Sequence, residues 1–240
     1  LEITLLARDM EIDIAIDLKG YTRDCRPNIF AQNCAPIQVS FLGYPGTSSA
    51  DYIHYLIADH TLIPKNKQKY YSEKIVYIPN SYQVNVSNRN ISKSSLSRNE
   101  LGLPATSFVF CCFNNNYKIT ISTFAGWMRI LKAVNNSVLW LFENNSMSAK
   151  NLKKEALKHG INDNRLIFAA QMPVEEHLNR IKLADLFLDT LPYNAHTTSS
   201  DSLRMNVPVL TCIGQSFASR VAASIVNAVN LPELITHSQE

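Results

Sequence analysis

From Ser107 onward, strand-sized apolar runs alternate strictly with segments of helical spacing, and that alternation leaves few folds open. Residues 108–113 are continuously apolar and short enough for a strand buried on both faces. Residues 122–133 then carry Phe124, Trp127, Met128 and Leu131 at helical intervals. The pattern predicts further strands over 138–142, 165–169, 186–188 and 207–212. It predicts helices over 149–159, 173–183, 196–205 and 217–229, with Gly160 capping the first and Pro173 as the first-turn proline of the second. Strands and helices in this order make βαβ crossovers, hence a parallel sheet with helices on both faces.

The first half is less regular. Strands are expected over 13–17, 37–42, 52–58 and 74–78, with helical turns over 27–33 and 65–72. The Asn- and Ser-rich residues 85–99 read as a linker or exposed loop. Residues 1–95 are therefore expected to be the C-terminal part of one α/β domain plus linker, and residues 96–240 a nearly whole second domain. The chain begins without room for an opening βαβ unit, so a fragment is expected, with an apolar sheet face left partly uncovered.

A composition of 46% hydrophobic and 18% charged residues is that of a globular protein with a real core. A net charge of +3 with no basic tract argues against nucleic acid as a partner. No apolar run approaches the about 20 residues of a membrane span, so no membrane partner is expected. The five cysteines lack zinc-ligand spacing and are odd in number, which points to reduced thiols and a cytoplasmic location, with no metal.

In open α/β sheets, ligands bind beyond the carboxyl ends of the strands. After the strand at 108–113 comes Asn114-Asn115-Asn116-Tyr117-Lys118; after 165–169 come His177 and Arg180; after 186–188 a helix opens at His196-Thr197-Thr198. A helix start offers unpaired N–H groups and the positive end of the dipole, which attract phosphate. Each piece also has an ordinary reading. Thr198-x-x-Asp201 fits a capping box, Lys118 fits a solvated loop lysine, and Arg180 could pair with Glu176 one turn back. Together they outline a nucleotide-diphosphate site.

Several longer runs then carry a resemblance. They include Phe113-Asn114-Asn115-Asn116-Tyr117-Lys118-Ile119, Ser137-Val138-Leu139-Trp140-Leu141 and the segment from Leu183-Ala184-Asp185 through His196-Thr197-Thr198. In the first half, Phe41-Leu42-Gly43-Tyr44-Pro45-Gly46-Thr47-Ser48 and Tyr71-Ser72-Glu73-Lys74 join them, as does Ala218-Ser219-Arg220-Val221-Ala222-Ala223-Ser224 near the end. These resemble the catalytic region of the O-linked N-acetylglucosamine transferases, most like the bacterial, SPINDLY-like members, over almost the whole chain.

The resemblance implies an α/β glycosyltransferase B fold of two Rossmann-like domains with parallel sheets, the first incomplete here. It implies UDP-N-acetylglucosamine (UDP-GlcNAc) as donor and a protein or peptide as acceptor, with no cofactor and no metal. By position, Lys118 matches the lysine on the donor diphosphate, and Asn115 replaces a glutamine near the pyrophosphate. His177 matches a histidine beside the uracil, Arg180 a nucleoside contact, and His196, Thr197, Thr198 and Asp201 the phosphate- and ribose-binding turn. Leu42, Gly43 and Pro45 match the loop lining sugar and acceptor, whereas Val174 stands where animal members have a ribose-contacting lysine. The family's upstream histidines, its tetratricopeptide repeats and its C-terminal returning helix have no counterpart in these residues.

The implied chemistry is inverting displacement at the anomeric carbon, with Lys118 and the helix start stabilising charge on the departing UDP. A GDP-fucose or asparagine-directed relative would keep the fold and change donor or acceptor. His196 favours the N-acetylglucosamine branch, since the fucosyl branch tends to have glycine there. A non-catalytic nucleotide-binding module is the alternative from another class.

Overall fold

A computed structural model describes residues 1–240 and arranges them around two parallel sheets. In the first half, α1 (Glu2–Asp9) precedes β1 (Ile14–Asp17), α2 (Pro27–Ala31), β2 (Ile37–Ser40), β3 (Tyr55–Ala58) and β4 (Lys74–Tyr77). The strands pair in the order β1-β2-β3-β4, Ile14 opposite Ile37 and Leu56 opposite Ile75. The strand β1 forms an open edge on which Ile14 and Ile16 stay about half exposed, so this sheet is incomplete. Residues 65–70 form a 3₁₀ turn. The pattern gave no sign of α1, whose Ile3, Leu5 and Leu6 point outward.

The second half continues with β5 (Phe108–Cys112), α3 (Ile121–Ala133), β6 (Ser137–Phe142), α4 (Ser146–Lys158) and β7 (Leu166–Ala169). Then come α5 (Val174–Ile181), β8 (Leu186–Leu188), α6 (Thr197–Arg204), β9 (Val209–Cys212), α7 (Val221–Ala228) and β10 (Ile235–Thr236). The strand order is β10-β9-β8-β5-β6-β7. The chain moves one way from β5 and the other way from β8, so a crevice opens between the carboxyl ends of these two strands. Their neighbours are fully buried: Val109, Cys111, Leu139, Leu141 and Phe187 have at most a trace of exposure. Truncating Leu139 to Ala would leave a cavity costing about 2–5 kcal/mol.

Helix boundaries follow their caps. The α4 helix opens three residues before the apolar pattern does, because the Asn145 side chain accepts from the Ser148 N–H at 2.8 Å. Gly160 at φ +72° ends it. Pro173 stands one residue before α5 rather than in its first turn, and that helix stops at Ile181. The last helical region splits into a 3₁₀ turn at Phe217–Ser219 and α7. The two-residue β10 was not foreseen.

The two halves share a core. Leu56, Ala58, Leu62, Ile63 and Tyr82 pack with Phe217, Val221 and Ile225 from around α7. Polar ties cross the same seam: Ser224 Oγ donates to Asp59 Oδ2 at 2.6 Å, and Arg220 Nε donates to the Thr61 carbonyl at 2.7 Å. Residues 85–99 lie along α5 and α6. There Arg89 pairs with Asp201 at 2.9 Å, and Ser92 N–H donates to the Glu175 carbonyl at 3.1 Å.

Candidate functional site

The β5 end is anchored by the Asn114-Asn115-Asn116 run, each residue doing something different. Asn114 is buried: its Nδ2 donates to Thr190 Oγ1 at 2.8 Å, and its Oδ1 accepts from Thr198 Oγ1 at 2.6 Å. Asn116 turns the other way, donating to the Phe142 carbonyl at 3.1 Å and accepting from Ser148 Oγ at 2.9 Å. Asn115 between them is exposed. The 3₁₀ turn Asn116–Lys118 then aims Lys118 back over the sheet.

Lys118 is not the solvated lysine that loop position allows. Its Nζ donates to the main-chain carbonyl of Asn194 at 2.9 Å and lies 4.2 Å from the centre of the Tyr193 ring. Burial lowers its pKa, while Asp189 pulls it back up. Asp189 sits at the end of β8, where its Oδ1 accepts from the N–H groups of Thr190 (2.7 Å) and Ala195 (2.6 Å), and its Oδ2 from Thr211 Oγ1 (2.7 Å). Burial pushes that carboxyl up to about 6, against the pull of these donors and of Lys118. Residues 190–195 are thus a turn fixed from below; Thr120 and Thr123 add hydroxyl bonds to the Leu191 carbonyl at 3.1 and 2.9 Å.

The α6 helix starts on the far side of that turn. The N–H groups of Thr197 and Thr198 have no partner within the chain, and no side chain caps the helix. The capping-box reading is therefore overturned: Thr198 spends its hydroxyl proton on Asn114, and Asp201 faces Arg89. Thr197 is exposed. The His196 ring stacks on Tyr193 (4.9 Å between centres), with Nε2 3.4 Å from the Ala218 carbonyl. Burial, then the Lys118 charge, lowers its imidazole to about 4, so it is neutral near pH 7.

His177 and Arg180 form a second cluster against Phe113. Arg180 Nε donates to His177 Nδ1 at 3.0 Å and Nη1 donates to the Ala170 carbonyl at 2.6 Å, so the alternative pairing with Glu176 does not form. The guanidinium lies 5.5 Å from the centre of the Phe113 ring, and His177 meets that ring edge-on at 5.1 Å. Burial, then Arg180, lowers His177 to about 4. Since Nδ1 accepts, the neutral ring carries its proton on Nε2. Phe142, Gln171, Met172 and Val174 complete the walls of this pocket.

Leu42, Gly43 and Pro45 lie in the loop after β2. Leu42 holds φ +70°, an uncommon conformation for a branched residue, and packs its side chain on the shared core. Gly43 has no room for a side chain, since a Cβ there would sit 2.2 Å from the Leu18 carbonyl oxygen. Tyr44 in the same loop is near enough to Tyr193 to help burial raise that phenol's pKa.

The structure thus gathers Lys118, His196, Thr197 and Thr198 at the β5/β8 crevice, with His177 and Arg180 beside Phe113, and turns Asp201 toward the 85–99 segment. Asn114, Asp189 and Asn194 were not singled out from sequence, although a polar residue ending an apolar strand was a signal for the first two. No cluster of three His, Cys, Asp or Glu side chains is arranged to hold a metal, and no helix is long and apolar enough to cross a membrane.

Two parallel sheets, the first with four strands, joined through one core, define the class: an α/β chain of the glycosyltransferase B fold. The family model for glycosyl transferase family 41 matches residues 5–93 and 87–240, and the chain belongs to that family. It is 39% identical over 226 residues to the probable UDP-N-acetylglucosamine–peptide N-acetylglucosaminyltransferase SEC of Arabidopsis thaliana, covering 92% of this chain and 23% of that protein. It is 30% identical over 247 residues to the corresponding probable enzyme SPINDLY of Solanum lycopersicum, covering 100% of this chain and 26% of that one. Among solved structures, a mutant of the O-GlcNAc transferase of Thermobaculum terrenum superposes with a TM-score of 0.88 at 28% identity, over 99% of this chain and 45% of its own. The chain therefore spans about a quarter of the length of these curated relatives.

Proposed function

We propose that the crevice binds UDP-GlcNAc and that the protein transfers N-acetylglucosamine, with inversion and without a metal, to Ser or Thr hydroxyls of proteins. The observation that carries this reading is the Lys118 ammonium, seated on the Asn194 carbonyl at 2.9 Å next to a helix start with free N–H groups. An acceptor hydroxyl attacks the anomeric carbon from the face opposite the leaving group, and the bond to the β-phosphate oxygen breaks. Negative charge then grows on that phosphate, where a fixed cation and two fixed N–H groups need no reorganisation to stabilise it. His177, whose Nε2–H is not used by Arg180, and Arg180 would line the nucleoside end of the donor.

The relatives' names supply the donor and the peptide acceptor. The Leu42-Gly43-Tyr44-Pro45 loop would line sugar and acceptor, and tetratricopeptide repeats upstream would present the protein substrate. Five free cysteines fit a reducing compartment, the cytoplasm. The test uses the longer protein with UDP-[³H]GlcNAc and a Ser/Thr-containing acceptor protein in the presence of EDTA. Label that becomes protein-bound and is released by β-elimination is expected; label that appears only with added divalent metal, or only on asparagine, would contradict the proposal.

A further inference from the structure

Resting on the donor-site reading, we propose that Asp189 is the positioning residue for Lys118: it holds the lysine through the 190–195 turn and supplies the anion next to it, without touching ligand. Asp189 binds both ends of that turn, the Thr190 and Ala195 N–H groups, at 2.7 and 2.6 Å. Asn194, within that turn, gives Lys118 its carbonyl, and the Asn194 side chain donates back to the Thr190 carbonyl at 2.8 Å. Thr211 on β9 fixes the other carboxylate oxygen at 2.7 Å. These three donors favour the ionised carboxylate over the neutral acid, so the charge that holds the turn is also present next to the lysine.

Lys118 responds to that charge. The two groups make no direct ion pair, yet each shifts the other: Asp189 favours the ammonium and Lys118 favours the carboxylate. The other titratable groups facing Lys118 are Cys112, Tyr193 and His196. Burial keeps the Cys112 thiol and the Tyr193 phenol neutral by raising both, and lowers His196 so that it too is uncharged. Asp189 is thus the anion that favours the ammonium form of a half-buried lysine beneath the place where a diphosphate would lie.

The test is the titration of Lys118 Nζ by lysine-selective NMR in the ligand-free chain, for wild type and Asp189→Asn. Asparagine keeps an oxygen for Thr190 and Ala195 and offers Thr211 an amide, so the turn is retained while the charge is lost. The Lys118 midpoint should fall by about one unit, and UDP affinity should be lost at lower pH than in wild type. An unchanged midpoint in folded Asp189→Asn would overturn the proposal. If that variant does not fold, Lys118→Met reports the reciprocal effect, since coupling is symmetric. The Asp189 carboxyl should then titrate higher, and an unmoved carboxyl would equally overturn it. A wild type that shows this coupling but does not bind UDP would sink the donor reading and leave the positioning of Lys118 standing.

Discussion

Thr198 donates its hydroxyl to the buried amide of Asn114 at 2.6 Å, across 84 residues of sequence, and so locks the first turn of α6 to the end of β5. The neighbouring Thr197 is exposed. Adjacent threonines in one motif therefore have different work. Thr198→Val should destabilise the fold by about 1–3 kcal/mol by leaving Asn114 Oδ1 without its donor. Thr197→Val should leave the melting temperature in place and weaken UDP while sparing uridine. Calorimetry with both ligands and a thermal melt on each single variant separate the two roles; equal effects of the two substitutions would mean both hydroxyls serve the same purpose.

Lys118→Met keeps an apolar stem on Tyr193 and removes the ammonium from the Asn194 carbonyl. Stability should fall by only about 1 kcal/mol, the net value of one hydrogen bond. Turnover of the longer enzyme should fall on the order of 100- to 1000-fold. Near-normal turnover, or an unfolded variant, would return Lys118 to a structural role.

His177 and His196 both titrate near 4 in the fold, against an ordinary value of 6.5. The unfolded chain therefore binds their protons first, so stability is complete above about pH 6.5 and is lost as the pH falls toward 4. Asp189, raised to about 6, opposes this, because the folded state then takes up its proton more readily. Asp201, also raised by burial, acts with Asp189, and Glu73, whose burial is outweighed by the Ser48 and Thr47 bonds that lower it, acts with the histidines. The two imidazoles carry the larger displacement, and melts should show falling stability from pH 6.5 to 4. His177→Gln should flatten that slope; an unchanged slope would mean the imidazole is not held neutral.

The open edge at β1 leaves Ile14 and Ile16 about half exposed, and Ile3 and Leu6 of α1 are exposed as well. Such an edge is a template for association. Sedimentation of this chain should show concentration-dependent self-association that Ile16→Lys reduces, and the isolated chain should not transfer sugar. A strictly monomeric chain, or measurable transfer by it, would contradict this reading of the incomplete sheet.

The strands of the second sheet were legible because β5 and β6 are buried on both faces and so read as unbroken apolar runs. The capped start of α4 at Asn145 and the two-residue β10 were not, since neither disturbs hydrophobic periodicity. At the site, Lys118 and the α6 start announced themselves by lying just beyond strand ends. The network beneath them did not: Asn114 meets Thr190 across 76 residues and Thr198 across 84, distances at which no local pattern operates. The capping box failed for the same reason, as Asp201 is drawn to Arg89 across 112 residues. The role of α7 in burying Leu56 and Tyr82 likewise depends on contacts between halves that a linear pattern treats separately.

The most direct measurement of the central claim is calorimetry of the wild-type chain with UDP, GDP and uridine under one set of conditions. On the proposed reading, UDP should bind more tightly than GDP, because the pocket of Phe113, His177 and Arg180 would take uracil, and more tightly than uridine, because Lys118 and the α6 start would engage the diphosphate. GDP binding as well as or better than UDP would contradict the uridine donor, and uridine binding as well as UDP would contradict a diphosphate site at Lys118.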